Sequence, residues 1–345
     1  MSELPPPSVS TAPAATPPAA AGVAGSPAAI ELSRLTRRFG HTTAVNDLTL
    51  SIPAGTTCGF VGLNGAGKTT TLRMLVGLLA PTSGSITVAG FSMPAHRQIA
   101  KLHIGYVPDR PNIYGWMRVR EAIDFCRQLY GPQWSAPHVA QLANLLRLDP
   151  DRRVKHLSKG GAAKLQLLLA VGHDPEVLIL DEPTIGFDPL ARDEFLEGLL
   201  NLQPPDKAAA PDPTGSPSQQ RRTILFSSHT LSDVQRLADS VAMMHEGRLL
   251  FHRPLDQLLE RTKRIRAVLE DLPSTDAPLA MPEGAFRQQR RGREWIVSAD
   301  DFSPQQVQFI QATHRVRQLD VIDLTLDDIF RDHVRAITDT SDSYR

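Results

Sequence analysis

Two cysteines in 345 residues exclude a disulfide-stapled scaffold. Long apolar runs are missing as well. The longest, LQLLLAV at 165–171 and VLIL at 177–180, fall far short of the ~20 residues that cross a bilayer as a helix. Neither sign of charge is in excess. The 37 Lys and Arg balance 37 Asp and Glu, so composition does not point to nucleic acid or to an anionic membrane surface. No secretory leader is expected, because the first basic residue is Arg34 and no apolar block follows it. These absences predict a soluble, intracellular protein. At ~100–200 residues per domain, the length suits two domains or one large domain with an appendage, and a core is easily built.

Residues 1–29 hold seven Pro, nine Ala and one charged side chain, Glu3. Too little of this can pack to offset chain entropy, so a disordered tail is predicted. A second Pro-rich stretch, about 203–222, reads as a disordered surface insert between a helix and a strand. No internal repeat is present. Between these stretches, short apolar runs alternate with helical spacing. TTCGFVG (56–62), VLIL (177–180) and TILFSS (223–228) read as buried strands. Residues 69–79 place Leu72, Leu75, Val76 and Leu79 on one helical face, with Pro81 and Gly84 expected to end the helix. Strands alternating with helices predict a mainly parallel sheet with helices on its faces. Residues 110–170 look helical. From about 265, IRAVLE, EWIVSA and a helix-like 304–312 predict a small α+β appendage ending in LTLDDIFRDHV (324–334).

GLNGAGKT (62–69) matches the phosphate-loop (Walker A) pattern G-x-x-x-x-G-K-[ST], after a predicted strand and before a predicted helix. Gly62, Gly65 and Gly67 let the backbone curl so that its amides face phosphates. Lys68 supplies a point charge, and the Thr69 hydroxyl can ligate Mg²⁺ at a helix N-terminus. The loop alone says only that a nucleotide binds. VLILDEPT (177–184) adds two carboxylates at a strand end. Asp181 suits the metal side, and Glu182 can orient or deprotonate an attacking water. LSKGG (157–161) opens an apolar helix with Ser158 and the Gly160 and Gly161 amides, which by itself reads as an ordinary helix cap. His229 leaves a buried strand in SSH (227–229), where a lone histidine is usually structural.

Taken in order, GLNGAGKT, LSKGG, VLILDEPT, GFDP (186–189) and SSH resemble the nucleotide-binding subunit of an ABC (ATP-binding cassette) transporter over residues 30 to about 260. The resemblance implies an α/β fold, the P-loop NTPase cassette. It would have a mainly parallel sheet with flanking helices, an antiparallel β part and a helical subdomain at about 105–170. The cassette would span 30–264, followed by a C-terminal accessory domain at 265–345. It implies ATP and Mg²⁺ as ligands and ATP hydrolysis as the activity. Phe39 in RRFG looks like the aromatic that stacks on adenine. Gly62, Leu63, Asn64, Gly65, Ala66, Gly67, Lys68, Thr69 and Thr70 form the phosphate loop. Asp109 falls where the family senses Mg²⁺ and the membrane partner. Leu157, Ser158, Lys159, Gly160 and Gly161 look like the signature motif, which contacts the γ-phosphate held by a second cassette. Asp181, Glu182 and His229 are the metal-side, catalytic and switch residues, and Asp188 lies in the loop crossing the dimer interface.

The resemblance implies further partners: a second cassette and an integral membrane permease in a separate chain. That would make the protein cytoplasmic and peripheral at the membrane. Nucleic acid is not expected. Tyr114, Trp116 and Met117 are candidates for the groove that receives the permease, with core packing as the alternative. YGWMRV and LTLDDIF resemble bacterial cassettes that serve ABC-2-type exporter permeases. Two departures stand out. Asp109 is shorter than the Gln or Glu usual there, and the signature reads LSKGG rather than LSGGQ. They leave room for a catalytically weakened regulatory cassette of a heterodimer. A soluble ABC ATPase is the other alternative, but such proteins carry two cassettes or a long coiled coil. A P-loop kinase leaves LSKGG, DEPT and SSH unexplained. Cys58 and Cys126 read as buried inert thiols.

Overall fold

The structure is a computed structural model that describes residues 27–110, 112–202, 221–271 and 279–342. The predicted tail and insert lie almost wholly outside these residues. Only 27–29 and 221–222 fall within them, and Ala28 already opens the first strand.

The described residues open with a long hairpin, β1 (Ala28–Phe39) and β2 (Thr42–Pro53). β3 (Thr57–Val61) then leads through the phosphate loop into α1 (Lys68–Leu75). β4 (Ser83–Val88), β5 (Phe91–Met93), α2 (Arg97–Ala100) and β6 (Ile104–Val107) follow. Three helices come next: α3 (Val119–Tyr130), α4 (Ala136–Leu145) and α5 (Lys159–Val171). The chain re-enters the sheet with β7 (Val177–Leu180), α6 (Pro189–Asn201), β8 (Thr223–Ser228), α7 (Leu231–Leu237), β9 (Ser240–His245) and β10 (Arg248–Pro254). The last part is α8 (Leu255–Arg261), β11 (Lys263–Leu269), β12 (Ala285–Arg291), β13 (Glu294–Ala299), α9 (Pro304–Thr313), β14 (Val316–Asp323) and α10 (Leu326–Asp342).

Three sheets result. The central one runs β10-β9-β3-β8-β7-β6, parallel from β9 to β6 with β10 antiparallel at the edge. TCGFV, VLIL and TILFSS are buried at every position, as strands covered on both faces must be. An antiparallel sheet, β2-β1-β4-β5, packs over α1 and one face of the central sheet through Leu32, Leu48, Leu72 and Phe60. The opposite face packs against α3 to α7 through Leu165, Leu168, Phe195 and Phe226. The third sheet, β12-β13-β11-β14, has its own core of Ile265, Trp295, Val297 and Ile310. Burial pushes the Cys58 thiol up to about 12, as expected of a buried inert thiol, whereas Cys126 is only half-buried, its thiol also raised by burial.

Three local expectations need correction. The helix expected over 69–79 ends at Leu75. Gly77 takes φ 70°, and the Leu78 N–H turns back to the Arg73 carbonyl at 2.9 Å. That glycine turn closes the helix before Pro81, and Gly84 falls in β4. The helical part expected from about 105 begins later, because Ile104–Val107 is the edge strand of the central sheet. The LTLDDIF ending does not belong to the appendage alone. Leu326 and Ile329 bury in the cassette core with Leu231 and Val234. On the same helix, buried Asp332 binds Arg264 at 2.7 Å, Arg287 at 3.0 Å and the Ser298 hydroxyl at 2.5 Å in the third sheet. Helix α10 therefore joins the two parts.

Candidate functional site

The carboxyl ends of three neighbouring parallel strands build the site, the position where α/β sheets offer a crevice. β3 runs into Gly62, β7 into Asp181 and Glu182, and β8 into His229. The loop from Gly62 to Lys68 is forced into its curl by close packing. Gly67 has φ 102°, and a Cβ there would lie 2.4 Å from the Ala44 carbonyl. Only glycine fits. Leu63, Asn64 and Gly65 are exposed at the crest, Ala66 and Lys68 are buried, and Thr69 and Thr70 are half-buried.

Lys68 Nζ donates to the Gly62 carbonyl at 2.7 Å and stands 3.5 Å from Glu182 Oε1. The other oxygen of Glu182 lies 2.6 Å from His229 Nδ1. The Thr69 hydroxyl donates to Asp181 Oδ1 at 3.0 Å. Asp181 is fully buried, and its Oδ2 has no hydrogen-bond partner among the described residues. Burial holds this carboxyl above its ordinary range. The Ser227 and Thr69 hydroxyls oppose that rise, and the Asp109 and Glu182 charges add to it. A buried, orphaned acceptor beside a threonine hydroxyl can hold a cation. Lys68, Thr69, Asp181, Glu182 and His229 are thus brought to one place, with amides at a helix start able to hold phosphates.

The other candidates stand apart from this group. Phe39 ends β1 with its ring half exposed, and the Arg37 guanidinium covers it at 4.5 Å. Its strand partner Thr42 is two residues from Ala44, so the ring sits at the phosphate-loop end of the sheet. Asp109 borders an open cavity of about 650 Å³ with Tyr106 and Arg110, and its Oδ1 is 4.0 Å from Arg73. Ser158 caps α5, accepting from the Gly161 amide at 3.1 Å. Gly160 lies so close to α6 that a Cβ would meet the Ala191 side chain at 2.8 Å. Asp188 caps α6 through the Ala191 amide at 2.9 Å. None of the described hydrogen bonds or ion pairs of Leu157, Ser158, Lys159, Gly160 or Gly161 reaches the phosphate loop of the same chain.

Over 237 residues the chain is 35% identical to the Nod factor export ATP-binding protein I of Burkholderia lata, covering 68% of this chain and 73% of that one. The chain belongs to the ABC transporter ATP-binding family. The profile of that family, "ABC transporter", matches residues 45–185. The bacitracin transport ATP-binding protein BcrA of Bacillus licheniformis is 32% identical over 237 residues, 68% of this chain and 72% of that protein. A solved ATP-binding subunit of an ABC transporter superposes with a TM-score of 0.56 at 26% identity, over 67% of this chain and 92% of that one. The protein is the ATP-binding, ATP-hydrolysing subunit of an ABC transporter.

Some features of this cassette were not read from its motifs. Met117, a candidate for the permease groove with core packing as the alternative, is buried in the main core and takes the alternative. Tyr114 and Trp116 are exposed and stack at 5.8 Å, and Phe125 on α3 meets Tyr114 edge-on at 6.4 Å. Leu129, one helical turn beyond Phe125, is also exposed. An apolar i, i+4 pair within 119–130 was the available signal. Asp233 is buried and ties the Thr184 hydroxyl at 2.9 Å to Arg192 Nε at 2.7 Å, bracing the loop after Glu182. No helix among the described residues is long and apolar enough to cross a membrane.

Proposed function

We propose that this cassette powers a separate export permease by closing on a second cassette over two ATP molecules and hydrolysing them. One observation carries the reading: a single carboxylate, Glu182, stands between the phosphate-loop lysine and the strand-exit histidine, at 3.5 and 2.6 Å. That is where a group polarising water against a γ-phosphate belongs. Lys68 and the loop amides would hold the phosphates. Thr69 and the free oxygen of Asp181 would hold Mg²⁺, which when bound neutralises phosphate charge. His229 would orient Glu182 and reach the γ-phosphate.

The need for a second cassette is supported by the signature residues Ser158 to Gly161, which make no described bond to their own phosphate loop. Export is supported by the two relatives, named for Nod factor export and bacitracin transport. The exposed Tyr114, Trp116, Phe125 and Leu129 are the surface offered to the permease. A permease contact there would hold the cassette at the membrane, and Asp109 in the neighbouring cavity would link it to the nucleotide.

The test is co-purification. Tagged Glu182→Gln protein is taken from detergent-solubilised membranes of its host with ATP and Mg²⁺. A stoichiometric integral membrane protein is expected. Recovery of this chain alone, or of a soluble assembly, would overturn the transport reading.

A further inference from the structure

We infer that Ser227 is a positioning residue for ATP hydrolysis, locking Asp181 and Glu182 into register with the phosphate loop. The inference rests on the roles proposed above for those two carboxylates.

Ser227 lies in β8, two residues before His229, and is completely buried. Its Oγ donates to Asp181 Oδ1 at 2.9 Å and accepts from the Glu182 amide at 2.9 Å. One hydroxyl therefore spans both consecutive acidic residues. A hydroxyl has one hydrogen to give and lone pairs to receive, and here both capacities are used across the β7–β8 gap.

The bond to Glu182 has a specific task. Glu182 takes φ 48°, the left-handed region. For a residue that is not glycine this conformation is disfavoured and persists only where the surroundings impose it. At this position the chain leaves β7 and must turn the Glu182 side chain toward Lys68 and His229. The next residue with described bonds out of the loop is Thr184, held by Asp233. Ser227 pins the start of the turn at the amide of the strained residue itself.

The bond to Asp181 has a second task. Ser227 and Thr69 both donate to Oδ1, which fixes the plane of the carboxylate and leaves Oδ2 as the open acceptor. Without the Ser227 hydroxyl, Oδ1 has spare capacity and the carboxylate can rotate. The chain from Thr69 through Asp181 and Ser227 to the Glu182 amide is a continuous hydrogen-bonded path from α1 to the backbone that carries the proposed catalytic carboxylate. β8 delivers His229 from the same strand, so the path also sets the histidine relative to the glutamate.

A purely structural serine predicts lower stability and nothing more. A positioning serine predicts a split. Ser227→Ala should lower kcat by roughly tenfold or more, while KM for ATP stays within about twofold, because the lysine and loop amides are untouched. Binding of a fluorescent ATP analogue without Mg²⁺ should equal the parent's. Ser227→Thr, which restores the hydroxyl, should recover most of the rate, and Ser227→Cys, which has similar volume and a poor donor, should not. If the Ala variant does not fold, the Thr and Cys pair decides. Glu182→Gln is measured alongside. Turnover retained in Glu182→Gln would sink the underlying assignment. Turnover lost there but kept within twofold in both Ser227→Ala and Ser227→Cys would overturn this inference alone.

Discussion

His229 holds its Nδ1 2.6 Å from Glu182 Oε2, while Lys68 Nζ stands 3.5 Å from the other oxygen of the same carboxylate. Both neighbours are cationic or can be, and Glu182 is largely buried between them. A carboxylate so placed is oriented before any substrate arrives, the preorganisation on which phosphoryl transfer depends. Replacing it by the isosteric amide keeps the shape and removes the carboxylate proposed to act on water. Glu182→Gln should bind ATP like the parent, lose about 10²–10⁴ in turnover, and accumulate a closed dimer with ATP and Mg²⁺. Size-exclusion chromatography with ATP and a steady-state phosphate assay check both halves. Undiminished hydrolysis would remove Glu182 from the site.

Lys68 predicts a different failure. Its ammonium donates to the Gly62 carbonyl at 2.7 Å, so it already lies inside the loop that must receive phosphate. Hydrogen bonds to charged partners contribute about 1.5–3 kcal/mol, so Lys68→Ala should weaken nucleotide binding by roughly 10–100-fold. Equilibrium titration with a fluorescent ATP analogue measures it. Unchanged affinity would argue against the phosphate-loop assignment.

The parts of the site that were legible in the sequence are those encoded locally. Gly67 is needed for its φ and for the Ala44 contact, and the spacing to Lys68 and Thr69 follows from the helix start. Asp181, Glu182 and His229 announce themselves as polar groups ending apolar strands. Ser227 gave no such sign, because a small polar residue in TILFSS looks like ordinary strand, and its two partners lie 46 and 45 residues away. Tyr114, Trp116 and Met117 share one loop, and only tertiary contacts decide which of them faces inward. The same holds for α10. Its segment read only as the end of the appendage, because its burial against Leu231 and Val234 depends on a pairing about a hundred residues apart.

That division of one loop into inside and outside is testable. Met117 is buried in the main core, whereas Tyr114 and Trp116 are more than half exposed at 59% and 65%. Met117→Ala should cost about 2–5 kcal/mol of stability by urea denaturation. Tyr114→Ala and Trp116→Ala should stay within ~0.5 kcal/mol of the parent. The two surface variants, not the core one, should lose the membrane protein in the co-purification. Retention of that partner by both would move the docking surface elsewhere.

His173 makes the fold pH-sensitive. It is buried and stacks on Tyr130 at 4.1 Å. Burial pushes its pKa from 6.5 down to about 4, and the nearby Arg222 charge adds to the fall. The unfolded chain therefore binds the proton first, so stability rises with pH between those values. The contribution is present above 6.5 and is lost as pH falls toward 4. Between pH 7 and 5 the loss from this one residue is about 2 kcal/mol. His173→Phe keeps the stack and removes the proton, so urea unfolding at pH 7 and 5 should show a smaller drop. His138 and His252 are also pushed down by burial and act in the same direction. A variant as acid-sensitive as the parent would exclude His173.

Helix α10 also lines a cavity beside the phosphate loop. Phe330 lines a cavity of about 150 Å³ together with Gly62, Leu63, Asn64, Ser228, His229 and Leu231. The ring thus faces the same cavity as the phosphate loop and the turn that carries the histidine. It is only half-buried, so Phe330→Ala should cost less than the ~3–5 kcal/mol of a fully buried phenylalanine. The larger effect should be on the ligand. With the ring gone, the loop crest and His229 lose a packing surface, and ATP affinity should fall several-fold. Phe309→Ala, on α9 and away from that cavity, should leave affinity unchanged. Titration and urea unfolding of both variants separate the outcomes. Reduced stability with unchanged affinity would make α10 a strut alone. Reduced affinity in a stable variant would make the C-terminal helix part of the nucleotide site, with Asp332 anchoring its opposite side in the third sheet.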